Sequence, residues 1–325
     1  ISALSRHPKE TRLRYFVNSV HMFNVPAFRK IMKGTRLYIS GGGSLIQNVT
    51  SRRSLWYYLY TISSAKKLGN RVMMYGCGIG PLADKRDEST VSRKLNRYVD
   101  VITLREQFSL RELERLKVTK PRLLVSSDPA LTLPCASGDR IDQQLKKYGL
   151  DPQGEYICFS VRQWTDFDKK AESFAEAADF AAKVLGLTPV FMLINYKEDS
   201  GATSLVCSLM KEKAVIIDLP READLTIGVL SRMKAVVSMR LHGLIFAASQ
   251  GVPLVGVSYD PKVTAFLKSA GEERCIKYEK LQTEQLKEMI ESAVTDFDNA
   301  EGRRATVERL IRAEAQNSAM AKKLL

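Results

Sequence analysis

The stretch 236–263, VVSMRLHGLIFAASQGVPLVGVSYDPKV, decides the fold. A β-branched run ends at Arg240, an apolar segment with helical spacing runs to Gly251, and a second β-branched run follows. Strand, helix and strand within so few residues predict a parallel pair joined by a crossover helix. The charged residues of the unit sit at its joints. Arg240 and His242 mark the first strand exit, and Asp260 and Lys262 mark the second.

The same alternation extends in both directions. Upstream, TRLYIS (35–40), RVMMYGCGIGP (71–81), VITLRE (101–106) and RLLVSSDPAL (122–131) read as strands. Helical segments separate them, among them LWYYLYTISSAKKLG (55–69), STVSRKLNRYVD (89–100) and QFSLRELERL (107–116). A polar, turn-rich segment at 134–155 interrupts the pattern, which then restarts with YICFSVR (156–162), TPVFMLIN (188–195) and AVIIDLP (214–220). Helices are expected over 169–186, 204–213 and 223–233, and the tail from 283 is helical. This is an α/β chain with two Rossmann-like, doubly wound parallel sheets in series, expected to face one another across a cleft. The expected division is an N-terminal domain over 1–134, a linker over 135–154, a C-terminal domain over 155–300 and a C-terminal helix over 301–325. The chain opens on ISALSR with no Met, so a first strand and its loop are expected to be missing from the N-terminal domain.

The totals agree with such a chain. At roughly 150 residues per domain, 325 residues make two. An apolar fraction of 45% and a charged fraction of 26% are those of a globular protein. The net charge of +14 favours an acidic partner. Lys and Arg are spread along the chain without an RNP, zinc-finger or basic-zipper pattern, which argues against nucleic acid. The odd set of five Cys has no C-x-x-C pair, so neither a disulfide framework nor a structural zinc site is expected. Four of the five sit in or beside apolar runs and read as small core residues, and a cytoplasmic location is expected. No apolar run approaches the roughly 18 residues of a membrane span, and no signal peptide opens the chain. Attachment to the inner membrane surface stays open.

In open α/β sheets ligands bind beyond the carboxyl ends of the strands, so the strand exits supply the candidates. SGGGSLIQN (40–48) puts Gly41, Gly42 and Gly43 between a strand and a helix, where backbone amides can approach an anion or sugar. It is neither G-x-G-x-x-G nor a P-loop. Ser44, Gln47 and Asn48 there, with Ser51 beyond, suit hydroxyl-rich ligands. Gly78 and Gly80 repeat the device on the next strand. Arg105 and Arg162 stand at strand ends and suit bidentate anion binding. Asp128 stands at another exit, as a turn residue or a base. Arg240 and Lys262 around His242 make a site for a small, doubly anionic molecule and acid–base chemistry. His7 and His21 are assigned nothing.

SGGGSLIQNVTSRRSLWYYL, GIGP, VDVITLRE, SDPAL and the 236–263 stretch together resemble the polysaccharide pyruvyltransferase family, nearest to bacterial enzymes that modify secondary cell-wall polymers. The resemblance implies a fold similar to glycosyltransferase type B. It implies transfer of pyruvate from phosphoenolpyruvate to two hydroxyls of a sugar, as a cyclic ketal, with release of phosphate. It implies a β-linked N-acetylmannosamine acceptor, a part in cell-wall biogenesis and surface-layer anchoring, and no cofactor or metal. On this reading Arg240 and Lys262, with Arg105 or Arg162, hold phosphoenolpyruvate. His242 is the acid, or helps phosphate leave, and Asp128 and Asp260 are candidate bases. The stretch from Gly41 to Asn48, with Gly78 and Gly80, would meet the glycan, which the positive charge suits if it is lipid-linked. The alternatives are a nucleotide-sugar glycosyltransferase of the same fold and a non-catalytic glycan-binding protein. The first needs a ribose-holding carboxylate, usually a Glu, and 243–271 contains none.

Overall fold

A computed structural model describes residues 1–49, 51–219 and 222–325. Thr50 in the glycine-rich stretch, and Pro220 at the end of the strand expected over 214–220, lie outside the described residues. The chain divides into two compact units: residues 1–128 with 313–325, and residues 129–312.

The first unit carries a small parallel pair, β1 (Ser2–Ser5) and β2 (Asn18–His21), with α1 (Pro8–Tyr15) between them. After α2 (Val25–Lys33), four strands form a parallel sheet in sequence order: β3 (Leu37–Gly41), β4 (Arg71–Cys77), β5 (Val101–Leu104) and β6 (Arg122–Val125). Helices α3 (Arg52–Lys67), α4 (Lys85–Tyr98) and α5 (Gln107–Arg115) connect them. Leu55, Leu59 and Ile62 recur at helical spacing on α3 and are fully buried with Val72, Met74 and Ile102 of the strands.

The second unit holds a six-stranded parallel sheet in the order β12–β11–β10–β7–β8–β9. Its strands are β7 (Tyr156–Ser160), β8 (Thr188–Leu193), β9 (Val215–Asp218), β10 (Met233–Ser238), β11 (Leu254–Ser258) and β12 (Cys275–Lys277). Between them run α7 (Ala171–Lys183), α8 (Tyr196–Leu209), α9 (Ala223–Leu230), α10 (Leu241–Ser249) and α11 (Pro261–Ser269). All five residues of β7 and all of β11 are buried, which is why they read as unbroken apolar runs rather than alternating ones. The sheet grows from β7 toward β9, then restarts on the other side of β7 with β10. The crevice at the carboxyl ends of β7 and β10 is therefore the topological switch point, where ligands bind in such sheets.

Three sequence expectations need adjustment. The segment 135–154 is not a free linker. It carries α6 (Gly138–Lys147), whose Ile141 and Leu145 are buried in the second unit's core, with Gly228 of α9 so close that a side chain there would strike Ile141. The helix is otherwise polar, and only the periodic Ile and Leu enter the core. Helix α8 starts at Tyr196, eight residues before the expected 204, because its first turn is charged and polar. The tail is two helices, α12 (Thr283–Thr295) and α13 (Ala300–Lys323), and the last part of α13 belongs to the first unit. There Met320 packs with Met73 and Val101, and Asn317 donates to the Ser127 carbonyl at 3.1 Å. Burial pushes the thiols of Cys77 and Cys158 up to about 12, so both act as small core residues rather than nucleophiles.

If α6 is integral to the second unit, Leu145→Ala will lower its stability by about 2–4 kcal/mol. Chemical denaturation should show this as an earlier unfolding midpoint, whereas a linker residue would give no shift.

Candidate active site

In the first unit, the strand exits converge on Arg105. Its side chain is 4% exposed and all three kinds of guanidinium N–H are engaged. Nε donates to Glu106 Oε2 at 2.9 Å, Nη1 to Asp128 Oδ2 at 2.9 Å and Nη2 to Ser44 Oγ at 3.0 Å. Ser109 also donates to Glu106. Burial pushes the Glu106 carboxyl up, against the pull of Arg105 and Ser109. Gly78 lies against this cluster, and a Cβ there would sit 2.7 Å from Ser44 Oγ and 3.1 Å from Arg105 Nη2.

The glycine-rich stretch is tied down by its own backbone. Gly42 and Gly43 take φ values of 76° and 69°, a region that favours glycine. Gly42 N–H donates to the Tyr75 carbonyl, Gly78 N–H to the Gly43 carbonyl and Gly80 N–H to the Ile46 carbonyl, at 3.0, 3.0 and 2.8 Å. Gly41 ends β3, where a Cβ would press on Tyr75. Asn48 donates to Asp87 at 2.9 Å and accepts from the Ala83 amide at 2.8 Å. Asp87 is buried. Its hydrogen bond from Asn48 and the nearby Arg52 hold its carboxyl below the usual range despite desolvation. Gln47 is half-buried. The amides of Gly42, Gly78 and Gly80 thus join two strand exits to each other, and Ser44 and Asn48 brace them.

The second unit is arranged differently. Arg162 follows β7 and Arg240 follows β10, so the two guanidinium groups flank the switch point. Arg240 is the N-cap residue of α10. Its Nε donates to Asp199 Oδ1 at 2.8 Å, and Nη2 makes a second contact with the same oxygen. Asp199 is fully buried, and its other oxygen accepts from the backbone amides of Ile194 and Asn195 at 3.0 and 2.7 Å. Burial pushes the Asp199 carboxyl up, against the pull of Arg240 and of these two amides, whose donors favour its ionised form. Burial alone would lower the Arg240 pKa, and the ion pair with Asp199 raises it instead. Arg162 Nη1 donates to Tyr259 OH at 2.7 Å, and its guanidinium lies 4.7 Å from the Tyr259 ring centre and 5.1 Å from that of Trp164. At these distances the cation is attracted to both ring faces.

Glu198 joins the two. Its Oε2 is 2.8 Å from Arg162 Nη2 and 2.8 Å from Arg240 Nη2. Burial alone would raise its carboxyl pKa. Arg240, Arg162 and Lys262 outweigh that and lower it. Lys262, in the first turn of α11, pairs with Asp260 Oδ2 at 3.1 Å. Asp260 caps that helix by accepting from the Lys262 amide. His242 lies in the first turn of α10, half-buried, with its ring centre 5.9 Å from that of Phe246. At the end of β7, Ser160 is buried and its Oγ has no partner among the described residues.

The structure therefore brings Arg162, Arg240, Lys262, Asp260 and His242 to neighbouring strand exits of one sheet. It groups Arg105, Asp128, Ser44 and Gly78 on the other unit. Glu198, Asp199, Tyr259, Trp164 and Glu106 were missed. The Glu198–Asp199 pair stands in the first turn of α8 beyond the exit of β8, eight residues ahead of the start that its apolar spacing predicts for that helix.

A family model described as "Polysaccharide pyruvyl transferase" matches residues 1–261. The chain belongs to that family. Members of this family are transferases. No curated protein matches the chain. Among solved structures, a glycosyltransferase from Rickettsia africae superposes with a TM-score of 0.65 at 11% identity, over 97% of this chain and 87% of that one. The Anabaena HepE structure solved with UDP and glucose gives 0.62 at 10%, over 97% and 89%. The UDP-GlcNAc 2-epimerase from Neisseria meningitidis gives 0.62 at 10%, over 100% and 90%. At these identities the likeness is one of fold, and it places the pyruvyl transferase chain among Rossmann-like proteins of the glycosyltransferase type B kind. Among the described residues no cluster of His, Cys, Asp or Glu is arranged to hold a metal ion, and no helix is long and apolar enough to cross a membrane.

Two substitutions test these clusters. Asp199→Asn removes the buried partner of Arg240 and should cost about 3 kcal/mol, read as a lower midpoint in denaturant. Gly78→Ala crowds Ser44 and Arg105 and should cost about 1–3 kcal/mol in the same measurement.

Proposed function

We propose that this pyruvyl transferase takes phosphoenolpyruvate as donor and forms a cyclic pyruvate ketal on two hydroxyls of a cell-wall sugar, with β-linked N-acetylmannosamine as the acceptor. The observation that carries this reading is the convergence of Arg162 and Arg240 on a single carboxylate oxygen at the switch point, with Lys262 nearby. A donor with a carboxylate and a phosphate needs several fixed cations, and guanidinium pairs suit both groups.

In the first step a sugar hydroxyl adds to C2 of the enol ester. The carbon–carbon double bond supplies the electron pair that takes a proton at C3, and the hydroxyl gives up its own proton. In the second step the other hydroxyl attacks C2, the C2–O bond to phosphate breaks, and phosphate leaves with that electron pair and takes up the proton that the hydroxyl gives up. His242, in the first turn of α10, is the group we assign to protonating C3. A helix N-terminus favours the phosphate oxyanion nearby. Asp260 caps α11 and neutralises Lys262, and Asp128 is paired with Arg105, so neither is assigned as base. Arg105 is fully engaged by Glu106, Asp128 and Ser44, which makes it an organiser of the first unit rather than a donor ligand. The glycan is assigned to the first unit, at the strand exits built from Gly41 to Asn48. Neither step calls for a cofactor.

The acceptor is proposed to be lipid-linked and met at the inner membrane surface, with the protein in the cytoplasm. Between residues 1 and 60 the sole carboxylate side chain is Glu10, against ten Lys and Arg, a balance suited to an anionic surface. The competing reading is a nucleotide-sugar transferase, prompted by the structural neighbours solved with UDP and glucose or with UDP-GlcNAc. The absence of Glu from 243–271 weighs against it.

The test is phosphate release from phosphoenolpyruvate, with and without a β-N-acetylmannosaminide. Release should depend on acceptor and fall at least about 100-fold in folded His242→Ala. Turnover of a nucleotide sugar, with no phosphate release from phosphoenolpyruvate, would replace this reading with the other.

A further inference from the structure

We infer that Glu198 is a resident occupant of an oxyanion seat: its carboxylate fills the place between Arg162 and Arg240 that an oxyanion of the substrate takes, and it must be displaced for that substrate to bind. This rests on assigning the donor to the second unit.

The geometry separates two kinds of acid in this cluster. Asp199 is structural. It is fully buried, accepts from two backbone amides and holds Arg240 through Nε. Glu198 has none of these ties. Its side chain is 46% exposed, and its ion pairs are with Nη2 of each arginine, an atom that on Arg240 is also held by Asp199. Neither arginine depends on it for position. Arg240 rests on Asp199, while Arg162 donates to Tyr259 OH and stacks near Tyr259 and Trp164. An oxygen 2.8 Å from both guanidinium groups occupies the position a bound oxyanion would take, so Glu198 and a substrate oxygen exclude one another.

The charge count points the same way. Arg162, Arg240 and Lys262 face Glu198, Asp199 and Asp260, and the set balances. With Glu198 turned out to water, one positive charge is left uncompensated. An exposed, flexible glutamate in the first turn of a helix reaches solvent by rotating its own side chain, with no movement of the backbone. The main-chain carbonyl of Glu198 accepts from the Gln163 amide at 2.9 Å, a tie that side-chain rotation leaves intact. Such an occupant weakens every oxyanion at the seat, the product phosphate included, because each must first displace it. It also keeps two arginines neutralised when the seat is empty.

The experiment is calorimetric titration of wild type, Glu198→Gln and Glu198→Ala with orthophosphate, pyruvate and phosphoenolpyruvate at fixed ionic strength, with a thermal melt to confirm folding. Orthophosphate and pyruvate are the two halves of the donor, so the half that gains affinity identifies the group the seat takes. Both variants should bind at least one of these anions about tenfold more tightly than wild type, and KM for phosphoenolpyruvate should fall with them. Equal or weaker binding in the folded variants, or a raised KM, would overturn the inference and make Glu198 a residue that positions the arginines. Loss of folding in both variants would overturn it too, since an occupant that the fold requires is not displaceable. Tighter orthophosphate binding without any turnover of phosphoenolpyruvate would keep the inference and remove the donor assignment.

Discussion

A guanidinium group taken out of water needs a carboxylate to meet it, and the second unit is organised around one such meeting. Asp199 is buried at the exit of β8, anchored by two backbone amides. It fixes Arg240 at the exit of β10, so a side chain from one strand orients a side chain two strands away across β7. The pairing is demanding because a buried charge without its partner is costly. It also leaves Nη2 of Arg240 within 2.8 Å of the exposed Glu198 carboxylate. Arg162, Tyr259 and Trp164 complete the wall, and His242 follows on the same helix that Arg240 caps.

The two units use the same chemistry to opposite ends. In the first, Arg105 is saturated by Glu106, Asp128 and Ser44, and it leaves little to offer a ligand. Its work is to hold three strand exits in register, and Gly78 makes room for it. In the second, Arg162 and Arg240 keep part of their hydrogen-bonding capacity on an exposed carboxylate. A closed network suits a scaffold that presents loops to a large, neutral partner such as a glycan. An open one suits a small, charged molecule that must enter and leave.

Much of this was legible in the sequence. β-branched runs split by helical periods marked the parallel strands, and the same pattern put Arg162, Arg240, His242 and Lys262 at strand exits, where the structure has them. The residues it missed share a cause. Glu198 and Asp199 lie in a helical first turn whose polar composition resembles a loop, so α8 was expected to start eight residues late. Burial of a charged residue leaves no mark on hydropathy, and the full burial of Asp199 follows only from the fold around it. Segment 135–154 fails as a linker for a related reason: a short amphipathic helix with two core residues looks like surface when averaged. The closed network around Arg105 was beyond reach, because it depends on which of several exits stand next to one another.

The path of α13 bears on how the protein is made. The first unit is completed by residues 313–325, where Met320 fills its core and Asn317 secures the Ser127 carbonyl. During synthesis, residues 1–128 emerge well before these partners and lack their contacts until α13 has followed. The second unit, contiguous over 129–312, has all of its own sequence earlier. The unit translated first is therefore the one whose core is finished later, once α13 has left the ribosome.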